Sequence, residues 1–322
     1  MQQNGSILAD IGGTNARFAV LDEAGEIKQV KIYSVRENPT FIGALLNFRD
    51  TQCQDYKIVA LALAVAGPVL GDIVPFTNSD WVCDRQEIIK AFGTETVFIL
   101  NDFEAVAVAL VDLKPDNLQI IQAGKKSDRH PMVIMGAGTG LGVGALKPIL
   151  RAGGFEAITT EAGHTRYAPA NERERNMIRF LSRSLNFVRA EDLISGPGLV
   201  NLYQANCHLV SEKPKPCVPA DVVQWAREGD NLCHQVLDDF AAIFGSFASQ
   251  MALSYNAIGG IYLTGGVLEK MDTEFDQKRF LERFATNPTM ADLLNRIPVL
   301  RVKSDIPAFA GLRVVLKETM GL

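Results

Sequence analysis

Two glycine-centred turns carry the residues of this sequence that are spaced for phosphate chemistry: Asp10-Ile11-Gly12-Gly13-Thr14-Asn15 and Gly136-Ala137-Gly138-Thr139-Gly140. Each follows an apolar strand-like run (Ile7-Leu8-Ala9; Val133-Ile134-Met135) and is followed by another alternating run, Ala16 to Leu21 and Leu141 to Leu146. Glycines can take positive φ and leave backbone N–H groups free to converge on phosphate oxygens, where a Cβ would obstruct them. Two units of one design point to an ATP clamp between two related domains, although plain hairpins with no ligand would also use such turns. Asp10 lies inside the first turn, where a carboxylate is repelled by phosphate unless a cation intervenes. Its natural role is to hold Mg²⁺, directly or through water; the alternative is an aspartate capping its own turn. Thr14 and Thr139 offer hydroxyls either to phosphate oxygens or to the local backbone.

A second group of residues suits hydroxyl chemistry. Asp102 follows an apolar strand and adjoins Asn101, so its carboxylate can take a proton from an attacking substrate hydroxyl, or it can simply N-cap the helix beginning at Phe103. Glu161 and His164 fall within Thr159-Thr160-Glu161-Ala162-Gly163-His164. Glu-x-x-His can be half of a helical di-iron site, but there is no second copy and Gly163 opposes helix. A carboxylate with an imidazole better matches the paired donors and acceptors of a polyhydroxyl ligand. Glu191, ahead of the turn Ser195-Gly196-Pro197-Gly198, reads by itself as a solvated surface acid.

The elements that must position these residues alternate between strand-like and amphipathic helical runs, the pattern of an α/β protein. Lys28 to Tyr33 reads as a strand, and Asn38-Pro39 as the N-cap and first residue of a helix with a Phe41, Ile42, Leu45, Leu46 stripe. Lys57 to Val65 is a buried strand; Asp84 with Glu87 makes a capping box for a helix that Gly93 stops. Val97 to Leu100 delivers Asn101-Asp102 at a strand's carboxyl end, where open parallel sheets bind ligands. Further on come a strand around Pro148 to Ala152, a helix capped by Asn171 and Glu174 through Leu185, helices over Pro197 to Asn206, Pro219 to Arg227 and about Asn231 to Tyr255, and a strand Gly260 to Thr264 ending in Gly265-Gly266. Pro307 to Met320 is helical by period and is expected to pack back on the first domain. A G-x-x-x-x-G-K-[ST] loop is absent. A dinucleotide fingerprint can be forced onto Gly140, Gly142 and Ala145, but Pro148 arrives where its helix should begin.

At 322 residues, with 47% hydrophobic and 21% charged residues, the chain can fill two cores. A net charge of -5 provides no positive field for a polyanion, so no nucleic-acid partner is expected. The longest apolar run, Ile58 to Ala66, is about half of what a bilayer needs, and the N-terminus has no secretory signal; we expect a soluble protein with no membrane association. Five cysteines without a C-x-x-C fit a reducing cytoplasm. The irregular spacing of Cys207-His208, Cys217 and Cys233-His234 reads as packing rather than as a metal set.

The residues resemble the bacterial glucokinases of the hexokinase and actin-like ATPase superfamily along nearly the whole chain. The blocks that carry the resemblance are Asp10 to Arg17, Asn101-Asp102-Phe103, Gly136 to Gly142, Glu161-Ala162-Gly163-His164 and Ser195 to Tyr203. It implies a two-domain actin-like ATPase (ribonuclease H-like) α/β fold with an interdomain cleft, which we place as a small domain of residues 1–112 plus 304–322 and a large domain of 113–303. It implies Mg-ATP as cofactor, glucose as the substrate phosphorylated on its 6-hydroxyl, and commonly a homodimer. Asn101, Asp102, Glu161, His164 and Glu191 would line the sugar site with Asp102 as base. Ala9, Asp10, Ile11, Gly12, Gly13 and Thr14 would contact ATP phosphates, Gly138 and Thr139 would grip the nucleotide from the second hairpin, and Gly265 and Gly266 would lie near it. Ala162 departs from the glycine of many relatives and crowds the sugar loop. A kinase for another hexose or amino sugar would share every motif, and a non-catalytic sugar sensor is the remaining alternative.

Overall fold

The apolar run entering the first glycine turn forms β1 (Gln3–Ile11) and the run leaving it forms β2 (Asn15–Asp22), antiparallel with Ile11 opposite Ala16. β3 (Ile27–Ser34) adds to β2 with a bulge near Phe18. After α1 (Phe41–Gln52) comes β4 (Tyr56–Val65), parallel to β1. A ribbon of β5 (Ile73–Pro75) and β6 (Val82–Asp84) leads through α2 (Arg85–Phe92) to β7 (Val97–Asn101) and α3 (Asp102–Val108). The strand order is β3-β2-β1-β4-β7. This computed structural model describes residues 2–76, 79–150, 153–303 and 307–320, and the chain divides into two units, Met1–Lys114 with Ser304–Leu322 and Pro115–Lys303.

The second unit opens with β8 (Leu118–Gln122), β9 (Met132–Ala137), β10 (Leu141–Pro148) and β11 (Phe155–Thr160). Helices α4 (Glu172–Leu185), α5 (Gly196–Leu209), α6 (Pro219–Arg227) and α7 (Asn231–Ser254) precede β12 (Gly260–Thr264). Then follow α8 (Gly266–Met271), α9 (Gln277–Phe284), α10 (Ala291–Leu294) and β13 (Val299–Val302). The order here is β11-β10-β9-β12-β13-β8. In both sheets the strand that enters a glycine turn has its hairpin partner on one side and a parallel strand on the other. Both turns therefore sit at the carboxyl end of parallel strands, where backbone N–H groups are free of the ladder.

Burial explains the composition of these strands. β4 is covered on one face by α3 and by α11 (Pro307–Met320) and packs its other face into a core that includes Phe18, Phe41 and Phe48. A strand buried on both faces reads as the unbroken apolar run Ala60 to Val65. In the second unit, α7 is buried along most of its length because α5, α6 and α9 all pack on it. Cys207 and Cys233 lie in that core and His208 stacks on Phe180, the packing roles expected of them. Among the described residues no helix is long and apolar enough to cross a membrane.

Some local expectations shift. The first helix is capped by Thr40, whose hydroxyl accepts from the Gly43 N–H, and not by Asn38. Asn38 instead bonds to the Ser34 carbonyl through its side chain and receives the Trp81 indole N–H on its own carbonyl. The strand expected around Pro148 to Ala152 begins later, at Phe155; Gly153 and Gly154 turn the chain with φ of 76° and 78°, and residues 151 and 152 lie outside the described residues. Asn171 caps α4 as expected, but Glu174 does more than complete a cap. Its carboxylate, 3% exposed, accepts from Tyr167 Oη at 2.9 Å, the Ala170 N–H at 2.7 Å and Arg283 Nη1 at 2.6 Å.

Burial alone would raise the Glu174 carboxyl, but the Arg283, Ala170 and Tyr167 donors outweigh it and hold it below the usual range. The unfolded chain therefore binds more protons between the two values. Stability from this group is complete above roughly pH 4.3 and is lost as pH falls through the lower folded value. Arg283→Ala leaves the carboxylate buried without its ion partner and is expected to cost about 3–5 kcal/mol in urea unfolding at pH 7.

Candidate functional site

In the first unit, strand register gathers the predicted residues at one end of the sheet. Ile11 pairs with Val65, and Val65 with Asn101. Asp10 thus lies one residue before this row on β1, and Asp102 one residue after it at the start of α3; β1 and β7 are about 10 Å apart across the intervening β4. Ala9 and Ile11 point into the core, which leaves Asp10, partly buried, on the other face of β1, with Gly12 and Thr14 exposed in the turn beyond it. The Gly12 N–H closes the turn on the Asn15 carbonyl at 3.0 Å. Asp10 stands opposite Arg17 on the hairpin and Arg17 Nη1 donates to its Oδ2 at 3.0 Å, a partner the Asp-to-Arg spacing of the motif could have signalled. Burial pushes the Asp10 carboxyl up, and the Arg17 charge and hydrogen bond only partly counter it.

The helix that follows β7 separates two roles left open above. Asn101 is the N-cap: its Oδ1 accepts from the Phe103 and Glu104 N–H groups, and Glu104 returns a bond to the Asn101 N–H in a full capping box. Asn101 Nδ2 also donates to the Gly67 carbonyl at 3.0 Å, tying the end of β7 to the loop after β4. Asp102 is the first helical residue, half-buried, with Oδ1 accepting from the Phe103 N–H at 2.9 Å. Its carboxylate is not what caps α3. Burial raises Glu104, with the Asn101 N–H opposing.

In the second unit the pairings Leu141 with Ala137, Val143 with Thr160 and Thr264 with Gly136 bring three segments to one end of the sheet. They are the turn Gly138–Gly140, the segment from Glu161 to His164, and Gly265-Gly266 opening α8. The Gly138 N–H bonds to the Gly140 carbonyl at 2.9 Å, and the Gly138 carbonyl accepts from the Gly196 N–H at 2.8 Å, so the turn is docked on the start of α5. Thr14 and Thr139 are exposed at the two turn tips. None of Gly12, Gly13, Gly138 or Gly140 takes a left-handed φ, so the expectation of positive φ in these turns is corrected. A Cβ would have room at Gly12 and Gly138, so within the chain itself the want of a side chain matters at Gly140. At Gly140 a Cβ would stand 2.8 Å from Glu191 Oε2.

Ala162–His164 forms a single 3-10 turn with Glu161 at its N-cap position. Gly163 permits it, because a Cβ there would collide with the Leu141 carbonyl of β10. The Glu191 N–H donates to the Gly163 carbonyl at 3.0 Å, which brings the distant Glu191 to this turn. Its side chain is 16% exposed, so it is not the solvated surface acid that its sequence position alone describes. Glu191 Oε1 lies 3.1 Å from His164 Nδ1 and 2.5 Å from Arg189 Nη1. His164 Nε2 is 3.6 Å from Glu161 Oε2, too long for a direct hydrogen bond. The turn Ser195 to Gly198 is the start of α5, with the Ser195 hydroxyl capping the Gly198 N–H and donating to the Glu191 carbonyl. Arg189 and Asp192 were not singled out above; a lone basic residue two positions before Glu191 was the available signal.

Among the described residues no group of three His, Cys, Asp or Glu side chains is placed to cage a metal. Asp10, one partly buried carboxylate at a phosphate-type turn, fits Mg²⁺ that arrives with a nucleotide, since that ion keeps several waters and uses one or two carboxylates plus phosphates.

The glucokinase family model matches residues 7–319. A Saccharophagus degradans glucokinase is 38% identical over 310 residues, covering 95% of this chain and 96% of its own. One from Chromobacterium violaceum is 36% identical over 313 residues, covering 97% of this chain and 89% of its own. The crystal structure of a glucokinase from an Antarctic psychrotroph is similar with a TM-score of 0.87 at 30% identity, covering 98% of this chain and 100% of that one.

Proposed function

The chain belongs to the glucokinase family, and from that premise we propose that it transfers the γ-phosphoryl group of ATP to the 6-hydroxyl of glucose. The products are glucose 6-phosphate and ADP, the first step of glycolysis. The observation that carries the reading is the acid and imidazole cluster of Glu161, His164 and Glu191 set directly against a phosphate-type turn at Gly140. Carboxylates and a histidine match the adjacent hydroxyls of a hexose, and the turns match a triphosphate.

In this mechanism Glu161, His164 and Glu191 hold the sugar, and Asn101 sets the end of β7 so that Asp102 faces the 6-hydroxyl. As the O6–Pγ bond forms and the bond from Pγ to the ADP oxygen breaks, the hydroxyl proton passes to the Asp102 carboxylate. Gly13, Thr14 and Thr139 supply N–H and hydroxyl donors to phosphate oxygens, Gly12 and Gly138 close the two turns through their own N–H groups and let the phosphates approach, and Ala9 and Ile11 anchor the first turn with Gly265-Gly266 beside the nucleotide. Asp10 would hold Mg²⁺ arriving with ATP, which would neutralise phosphate charge. Five strands of each sheet follow a corresponding order, with β8 added at the edge of the second, which supports an actin-like, ribonuclease H-like architecture for both units. A cytoplasmic location and homodimerisation follow the family resemblance.

The test is a coupled assay with Mg-ATP over glucose, fructose, mannose and their N-acetylated relatives. Glucose is expected to give the highest kcat/KM; a higher value for an amino sugar, or calorimetric sugar binding with no turnover, would replace this reading. Gly140→Ala is expected to raise KM for glucose about tenfold, the equivalent of one weakened charge-assisted hydrogen bond, because the new methyl displaces the Glu191 carboxylate. Its melting temperature should stay close to the parent's, since the displaced group is the end of a flexible side chain.

A further inference from the structure

Arg189 lies in the segment before Glu191 and is gripped more firmly than its 39% side-chain exposure would require. The Asp192 carboxylate accepts from Arg189 Nε at 3.1 Å, from Nη2 at 2.7 Å and from the Arg189 backbone N–H at 2.8 Å. A two-pronged guanidinium–carboxylate pair fixes direction as well as charge. The direction it fixes is toward the sugar cluster: the remaining Nη1 is 2.5 Å from Glu191 Oε1 and 3.3 Å from His164 Nδ1. A backbone bridge between Arg166 and Arg189 holds the same segment in place.

We propose that Arg189, clamped by Asp192, is a positioning residue that makes His164 an Nε2–H donor and pins Glu191 for recognition of glucose. The inference rests on the sugar-site reading above. A guanidinium can only donate and an ionised carboxylate can only accept. With Nη1 ion-paired to Glu191 Oε1 and hydrogen-bonded to His164 Nδ1 at 3.3 Å, and a guanidinium able only to donate, the imidazole accepts on Nδ1 and carries its proton on Nε2. That N–H faces Glu161 across a 3.6 Å gap, so one sugar hydroxyl can accept from His164 and donate to Glu161. Without Arg189, Nδ1 would instead protonate to serve Glu191 Oε1 at 3.1 Å, and Nε2 would present a lone pair to the same hydroxyl.

The experiment combines kinetics with long-range ¹H–¹⁵N spectra of the imidazoles, His164 being assigned by its loss in His164→Gln. In the parent enzyme His164 is expected as the Nε2–H tautomer, and in Arg189→Ala as the Nδ1–H form or a mixture. Arg189→Ala is expected to raise KM for glucose about ten- to a hundredfold, the range of a hydrogen bond to a charged group, with KM for ATP changed by less than about twofold on the same scale. Asp192→Asn, which loosens the clamp and keeps Arg189, should move both readouts in the same direction by a smaller amount, and Arg189→Lys should recover only part of the loss. An Nδ1–H tautomer in the parent, which needs no variant to fold, overturns the proposal. So does an unchanged glucose KM in Arg189→Ala while Glu191→Gln raises it. Unchanged glucose KM in both Glu191→Gln and His164→Gln overturns the sugar-site reading, and this inference with it.

Discussion

Asp102→Asn is expected to lower kcat by about 10²- to 10⁴-fold, the range for losing a general base, while glucose still binds. Asparagine keeps the shape of the side chain and an oxygen for the Phe103 N–H, and α3 retains its cap because Asn101, not Asp102, supplies it. The variant should therefore melt close to the parent. That separation makes the result interpretable: a fall in kcat with intact calorimetric glucose binding isolates proton transfer from folding. Turnover within about tenfold of the parent would fall below that range and would remove Asp102 from the role of base.

Asp10→Asn is expected to move activity and stability in opposite directions. Loss of the carboxylate should lower kcat/KM for Mg-ATP by at least about a hundredfold, as several kcal/mol of charge stabilisation are lost, and should raise the Mg²⁺ concentration needed for half-maximal rate. The unliganded protein, in contrast, should be at least as stable as the parent at neutral pH. Burial raises the folded-state value of Asp10 above that of the unfolded chain despite Arg17, so between the two values the native state binds more protons. Stability from this group is present below roughly pH 3.9, and it declines as pH rises through the folded value. Neutral asparagine removes that penalty. A thermal scan without nucleotide that places Asp10→Asn well below the parent would show that the Arg17 pair outweighs burial.

The opposite signs at Asp10 and Glu174 show what decides whether a buried acid supports or strains the fold. Both are removed from water. Glu174 recovers the cost through a tyrosine hydroxyl, a backbone N–H and a buried guanidinium, whereas Asp10 has Arg17, itself 42% exposed. Carboxylates left under-compensated at a strand end are where ligand cations and phosphates find use.

By itself the sequence determined the alternation of elements, both glycine hairpins, and the placing of Asn101-Asp102 at a strand's carboxyl end. Each of these depends on local periodicity and turn chemistry that lie within a few residues. The family blocks added the reaction, which the full-length match supports. Boundaries slipped where two local solutions compete: Thr40 took the cap that Asn38 could have held, and Gly153-Gly154 delayed β11. Only the tertiary structure decided that Glu191 is a sheltered partner of His164, because that contact is made through the Gly163 carbonyl from a segment 28 residues away in sequence (191 minus 163). It alone showed Arg189 and Asp192 clamped beside the cluster, and Asp10 raised by burial. Shelter and charge pairing at a site are sums over groups that pack together from distant segments, and no periodicity in the chain records them.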